Sequence, residues 1–171
     1  LETHYSAWLA ERGTPERISS PLGVWSARVG AAFLGGVALG SVGQWGQSDE
    51  GLGVGIMGGL AIGASTATLY ASRNPVTDGQ GLFFASSVGW GFTNGFNGAI
   101  LALGDNIDED QYVDLTALFL TVGTGAGAVY AWKNLDKDMD AASVLETDVL
   151  GYLGNNLFSD AARTVLSAQR K

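Results

Sequence analysis

The chain has no cysteine, 3 prolines and one histidine in 171 residues, and only 15% of its side chains are charged. Without cysteine there is no disulfide, no thiolate metal site and no cysteine nucleophile, and the composition fits any redox compartment. The single histidine, His4, lies in the N-terminal lead-in, so neither a Ser-His-Asp relay nor a histidine metal cluster is available to the body of the chain. Soluble domains carry roughly a quarter charged residues; the deficit here points to a largely solvent-excluded chain. Of the charges present, 17 are acidic and 9 basic, and nucleic acid is excluded as a partner because phosphate binding relies on clustered Lys and Arg.

What the chain has in quantity is glycine, 26 residues, within a composition that is 46% hydrophobic. Its length suits one domain, which divides into a lead-in over 1–28, a glycine-rich body over 29–140 and a distinct C-terminal segment over 141–171. In the lead-in Tyr5, Trp8 and Leu9 are spaced for one helical face, with Gly13, Pro15 and Pro21 as breakers. Because the first residue is Leu1, the chain is expected to be a processed product or a fragment.

Four uncharged stretches follow, over 29–48, 51–72, 79–104 and 115–132. Three reach the roughly 20 residues a helix needs to cross a hydrocarbon core, and the last is near the lower limit of about 17. Within them small residues recur every four positions: Gly51, Gly55, Gly59 and Gly63; Ala32, Gly36 and Gly40; Ser87, Gly91, Gly95 and Ala99; Gly123, Gly127 and Ala131. That spacing lays a flat stripe along one side of a helix and lets another backbone approach closely, a main source of helix association in lipid. In water so much helical glycine costs up to about 1 kcal/mol per position against alanine.

An internal repeat supports a hairpin architecture. Residues 60–92 and 120–152 align at a constant offset of 60: Leu69-Tyr70-Ala71 over Val129-Tyr130-Ala131, Asp78 over Asp138, and Gly91-Phe92 over Gly151-Tyr152. At an offset of 59, Val29, Gly30, Phe33 and Gly36 fall over Val88, Gly89, Phe92 and Gly95. Thr77 with Gln80 has capping-box spacing, and Asp138 or Asp140 can cap the equivalent later helix.

The charges separate by side. If the four stretches cross a membrane, Arg12, Arg17, Arg28, Arg73, Lys133 and Lys137 share the side of the N-terminus, and the opposite loops hold Asp49, Glu50, Asp105, Asp108, Glu109, Asp110 and Asp114 with no Lys or Arg. This matches the positive-inside bias. Helix dipoles are not expected to produce it, since Asp49 and Asp105 follow helix C-termini, where negative charge is unfavourable. Trp25, Trp45 and Trp132 fall near helix ends, as interfacial aromatics do, whereas Trp90 reads as packing. The segment 141–158 reads as an amphipathic helix with Leu145, Val149, Tyr152, Leu153 and Asn156 on its apolar side and Glu146 and Asp148 on its wet face.

The fold class expected is all-α, a glycine-zippered bundle of repeated helix hairpins with four transmembrane helices plus a C-terminal amphipathic helix. Two competitors are a soluble helical bundle, favoured by a mean hydropathy of only +0.17, and a β-rich fold using Asn94-Gly95 and Asn97-Gly98 as hairpin turns. Gly53-x-Gly55-x-x-Gly58 with Asp78 beyond it has the spacing of a dinucleotide fingerprint, but the polar Gln47-Ser48-Asp49-Glu50 before it is no strand. The acidic run from Asp105 to Asp114 offers no register with both the glycine and the closing Glu of a calcium loop. No cofactor and no catalytic residue is therefore expected.

The leading functional expectation is a non-enzymatic structural or assembly subunit of a membrane, multi-pass, in contact with the lipid bilayer and forming a homo-oligomer or joining a larger membrane complex. Its packing residues would be Gly36, Gly40, Gly51, Gly55, Gly59, Gly63, Gly91, Gly95, Gly123 and Gly127. The alternatives are a channel or transport component whose path is lined by Ser87, Thr93, Asn94 and Asn97, and a soluble helical interaction domain.

Overall fold

In the computed structural model residues 19–46, 49–102, 108–135 and 139–151 are described. Four long helices run in order: α1, Pro21–Trp45; α2, Asp49–Arg73; α3, Asp78–Ala102; and α4, Glu109–Asn134. A fifth, α5, is described over residues 141–151. No strand is present among the described residues. Asn94-Gly95 and Asn97-Gly98 lie inside α3 and Gly53 to Gly58 inside α2, which removes both the β-turn reading and the strand-to-helix turn a dinucleotide fingerprint needs. His4, Trp8 and the rest of 1–18, with Asp105, Lys137, Asp138 and everything beyond 151, lie outside the described residues.

The helix starts follow from capping. Ser20 caps α1 and Pro21 occupies its first turn; expected as a breaker, Pro21 instead opens the helix, because its missing N–H is one that a first turn leaves unpaired anyway. Arg28 thus lies inside α1 rather than ahead of it. Thr77 and Gln80 form the reciprocal capping box at α3, with Gln80 N donating to Thr77 Oγ1 at 3.2 Å and Thr77 N donating to Gln80 Oε1 at 3.1 Å. Asp140 caps α5 by accepting from Ser143 N at 3.2 Å. Asp108 caps α4, accepting from Gln111 N at 2.9 Å, so α4 begins at Glu109 and not near Leu115.

These caps correct one step of the charge argument. Asp49 opens α2 and Asp108 caps α4, sites where negative charge is favourable. Helix capping accounts for part of the acidic clustering, and the absence of Lys and Arg from that side is the part it leaves standing.

At 25 or 26 residues each, α1 to α4 are about 37 Å long, against a hydrocarbon core of about 30 Å. Three are long and apolar enough to cross a membrane: Pro21–Trp45, Glu50–Arg73 and Gln111–Asn134, with mean hydropathies of 1.5, 1.5 and 1.4. The weak member is α3, not the last stretch, because Ser86, Ser87, Thr93, Asn94 and Asn97 dilute it.

Helices α1 and α2 form one antiparallel pair and α3 and α4 another; α1 also packs against α3 and α4. An edge-to-face contact between Phe33 and Phe92, with centroids 5.0 Å apart, joins α1 to α3, and Tyr70 with Trp132 at 5.6 Å joins the ends of α2 and α4. Ser41 Oγ donates to the Ala117 carbonyl at 3.2 Å and accepts from Thr121 Oγ1 at 2.8 Å, tying α1 to α4. At the other end of α1, Asp78 accepts from Gly23 N at 3.0 Å and from Ser20 Oγ, so one carboxylate serves the first turns of α1 and α3.

The interior is made of small side chains. Gly30, Gly36, Gly40, Ser26 and Ser41 are buried in α1, and Ser87, Val88, Gly91, Gly95 and Ala99 in α3. Large apolar side chains point outward: Val54 is 74% exposed, Met57 69%, Trp25 63% and Trp132 62%. Soluble monomers rarely present contiguous apolar surface on this scale.

Candidate functional site

The expected packing residues fall at the crossings of the two helix pairs. Between α1 and α2, a Cβ at Gly55, Gly59 or Gly63 would overlap the carbonyl oxygen of Leu39, Gly35 or Ala31 respectively, and one at Gly43 would overlap that of Gly51. Gly36 and Gly40 lie beside this line, facing the side chains of Leu60 and Ile56. Between α3 and α4, a Cβ at Gly91, Gly95, Gly123 or Gly127 would overlap the carbonyl of Gly123, Phe119, Gly91 or Ser87. At every one of these positions except Gly36 and Gly40 backbone meets backbone, which only glycine permits.

Sequence reasoning missed Gly35 and Gly43. They belong to a second stripe on α1 that Leu39 interrupts, and Gly36 and Gly40 beside them drew the pattern one residue over. It also missed Gly23, Gly79 and Gly81, where a Cβ would overlap the carbonyl of Thr77, Met139 or Gly23; these lie outside the long uncharged runs or at their very start. Gly53, Gly58, Gly89 and Gly125 have nothing within 4 Å of a Cβ; they are helical glycines without a close neighbour.

The second candidate region is the polar content of α3. Ser87 is buried and lines, with Asn94, a cavity of about 660 Å³ between α3, α4 and α5. Thr93 Oγ1 donates to the Gly89 carbonyl in its own helix at 3.0 Å, and neither Thr93 nor Asn97 lines this cavity. The structure thus brings two of the four expected lining residues to one space.

Among the described residues that cavity has aromatic walls from Phe83, Trp90 and Tyr130 and one acid, Asp148 of α5. Asp148 Oδ1 accepts from Trp90 Nε1 at 3.0 Å and from Ser86 Oγ. The expected orientation of α5 is therefore reversed: Val144 and Asp148 face the bundle, while Leu145, Val149 and Leu150 are 52%, 60% and 69% exposed. Glu146 is exposed as expected. Two hydrogen bonds and the docking of Gly151 on Trp90 outweigh the ordinary preference of a carboxylate for water. Periodicity gives the spacing of faces but not which one a neighbour's donors claim.

A smaller cavity, about 280 Å³, lies among α1, α2 and α4 and is mainly apolar. Thr116 borders it, and its buried hydroxyl has no hydrogen-bond partner. No group of three His, Cys, Asp or Glu side chains that could hold a metal ion exists among the described residues. No known family model, curated protein or solved structure matches the chain.

Proposed function

We propose that the protein is a non-enzymatic, multi-pass membrane subunit with a structural or assembly role: a glycine-zippered bundle of repeated hairpins that crosses the bilayer four times. One observation carries this reading. Glycines and small side chains dominate the interior, and many large apolar side chains face outward on the described helices, the distribution that suits lipid rather than water. In α3, whose hydropathy is the weakest, Ser87 is buried and Thr93 is satisfied within the helix, as a bilayer requires.

The repeat reading has support in the crossings. Ala31 opposite Gly63 and Gly35 opposite Gly59 become Gly91 opposite Gly123 and Gly95 opposite Phe119 when 60 is added to each number. That shift equals the offset of the later alignment. Because these glycine faces are spent on contacts within the chain, assembly with further copies or with a larger complex falls to the outward apolar faces. A channel or transport role is the second reading, favoured by Ser87, Asn94 and Asp148 around one cavity.

Phase partitioning tests the proposal. The full chain is expected in the detergent-rich phase, and its recovery as a detergent-free soluble monomer would overturn the membrane assignment. Ion flux in reconstituted vesicles separates the two roles: absence of conductance at high protein density supports the structural one, and conductance favours the other.

A further inference from the structure

We propose that the cavity between α3, α4 and α5 is a binding site for a small organic ammonium with an aromatic or similarly apolar body, its charge held by Asp148. The volume, about 660 Å³, lies within the range of small-molecule sites, about 300–1,000 Å³. Phe83, Trp90, Tyr130 and Val144 give it apolar walls, and aromatic faces attract cations.

The carboxylate is placed and only partly satisfied. Ser86 and Trp90 are both neutral donors and both engage Oδ1; among the described residues Oδ2 makes no hydrogen bond and Asp148 forms no ion pair. A carboxylate accepts about four hydrogen bonds, so the two donors orient the group and leave its charge uncompensated. In the bundle this part-buried group sits opposite Ser86, eight residues into α3 and about 12 Å along its axis, where a charge gains from a partner of opposite sign. An ammonium donates to Oδ2 and neutralises the pair, whereas an anion is repelled. A neutral ligand leaves the charge as it was. A divalent metal is a poorer occupant, because it needs six or more oxygen ligands or an octahedral shell and, among the described residues, Asp148 is the only carboxylate lining the space.

The test is calorimetric titration of the full chain, purified in a nonionic detergent, with a naphthylmethylammonium salt as probe and naphthylmethanol as its uncharged counterpart. Saturable binding of the ammonium at one site is expected. Binding about ten- to a hundredfold weaker is expected for naphthylmethanol, and for the ammonium with Asp148→Asn. Equal binding of both compounds, unchanged binding by a folded Asp148→Asn protein, or no binding of the ammonium would each overturn the proposal. Should Asp148→Asn fail to fold, Ala126→Phe decides: Ala126 is an exposed residue of the cavity wall, and the larger ring fills the space while the carboxylate stays. Abolished binding supports the site, and undiminished binding refutes it.

Discussion

Gly59 and Gly53 lie six residues apart on α2 and should respond oppositely to the same change. A Cβ at Gly59 would overlap the Gly35 carbonyl, whereas at Gly53 nothing lies within 4 Å. Gly59→Ala, and more severely Gly59→Leu, is expected to force α1 and α2 apart and destabilise the protein by about 1–3 kcal/mol or more. Gly53→Ala should leave the thermal midpoint unchanged or raise it, by an amount corresponding to at most about 1 kcal/mol. Thermal unfolding in detergent checks both; equal effects at the two sites would show that the close crossing does not hold the pair. Thr116 makes a third case, since its buried hydroxyl has no partner. Thr116→Val should be neutral or stabilising by about 1 kcal/mol, because it removes a desolvated polar group and nearly preserves volume; a marked drop in midpoint would mean the hydroxyl is satisfied in the working protein. At this scale Gly55, Gly59 and Gly63 of α2, Gly91 and Gly95 of α3, and Gly123 and Gly127 of α4 lie at the four-residue spacing visible in the sequence, whereas Gly79 and Gly81 fall outside that pattern. Gly35 and Gly43 were not legible, because Leu39 breaks their stripe and the side chain of Leu39 can point away while its carbonyl makes the contact.

Between elements, the polar link from Ser41 to Thr121 and the Ala117 carbonyl ties the first pair of helices to the second. Ser41→Ala and Thr121→Val should each destabilise by about 0.5–1.5 kcal/mol. The double variant should cost less than the sum, since each single change removes the same bond; strict additivity in a double-mutant cycle would deny the coupling. Thr77→Ala should cost about 0.5–2 kcal/mol by uncapping α3, read in the same unfolding experiment, with no loss arguing that the capping box is idle. Capping was legible in part: Thr77 with Gln80 was readable from spacing and Asp140 was one of two candidates, whereas Ser20 and Asp108 did not stand out. The start of α4 was not legible, since the acids from Asp108 to Asp114 looked like one loop, although Asp108 caps the helix and acids are welcome at a helix start. Nor was the orientation of α5 readable, because the donors that claim Asp148, Ser86 and Trp90, are 62 and 58 residues away in the chain.

For the whole molecule, composition and charge gave the helical class and the separation of Lys and Arg, while the burial of small residues and exposure of large ones became visible only in three dimensions. The central claim, four crossings of a bilayer, turns on α3, the one long helix that falls short on hydropathy. The chain has no native cysteine, so single-cysteine variants at the exposed positions Glu50, Asn74, Gln111 and Lys133 can be labelled with a membrane-impermeant thiol reagent in sealed vesicles of defined orientation. Four crossings predict that Glu50 and Gln111 react from one side and Asn74 and Lys133 from the other. Reaction of Asn74 and Gln111 from the same side, or of all four from both, would contradict it.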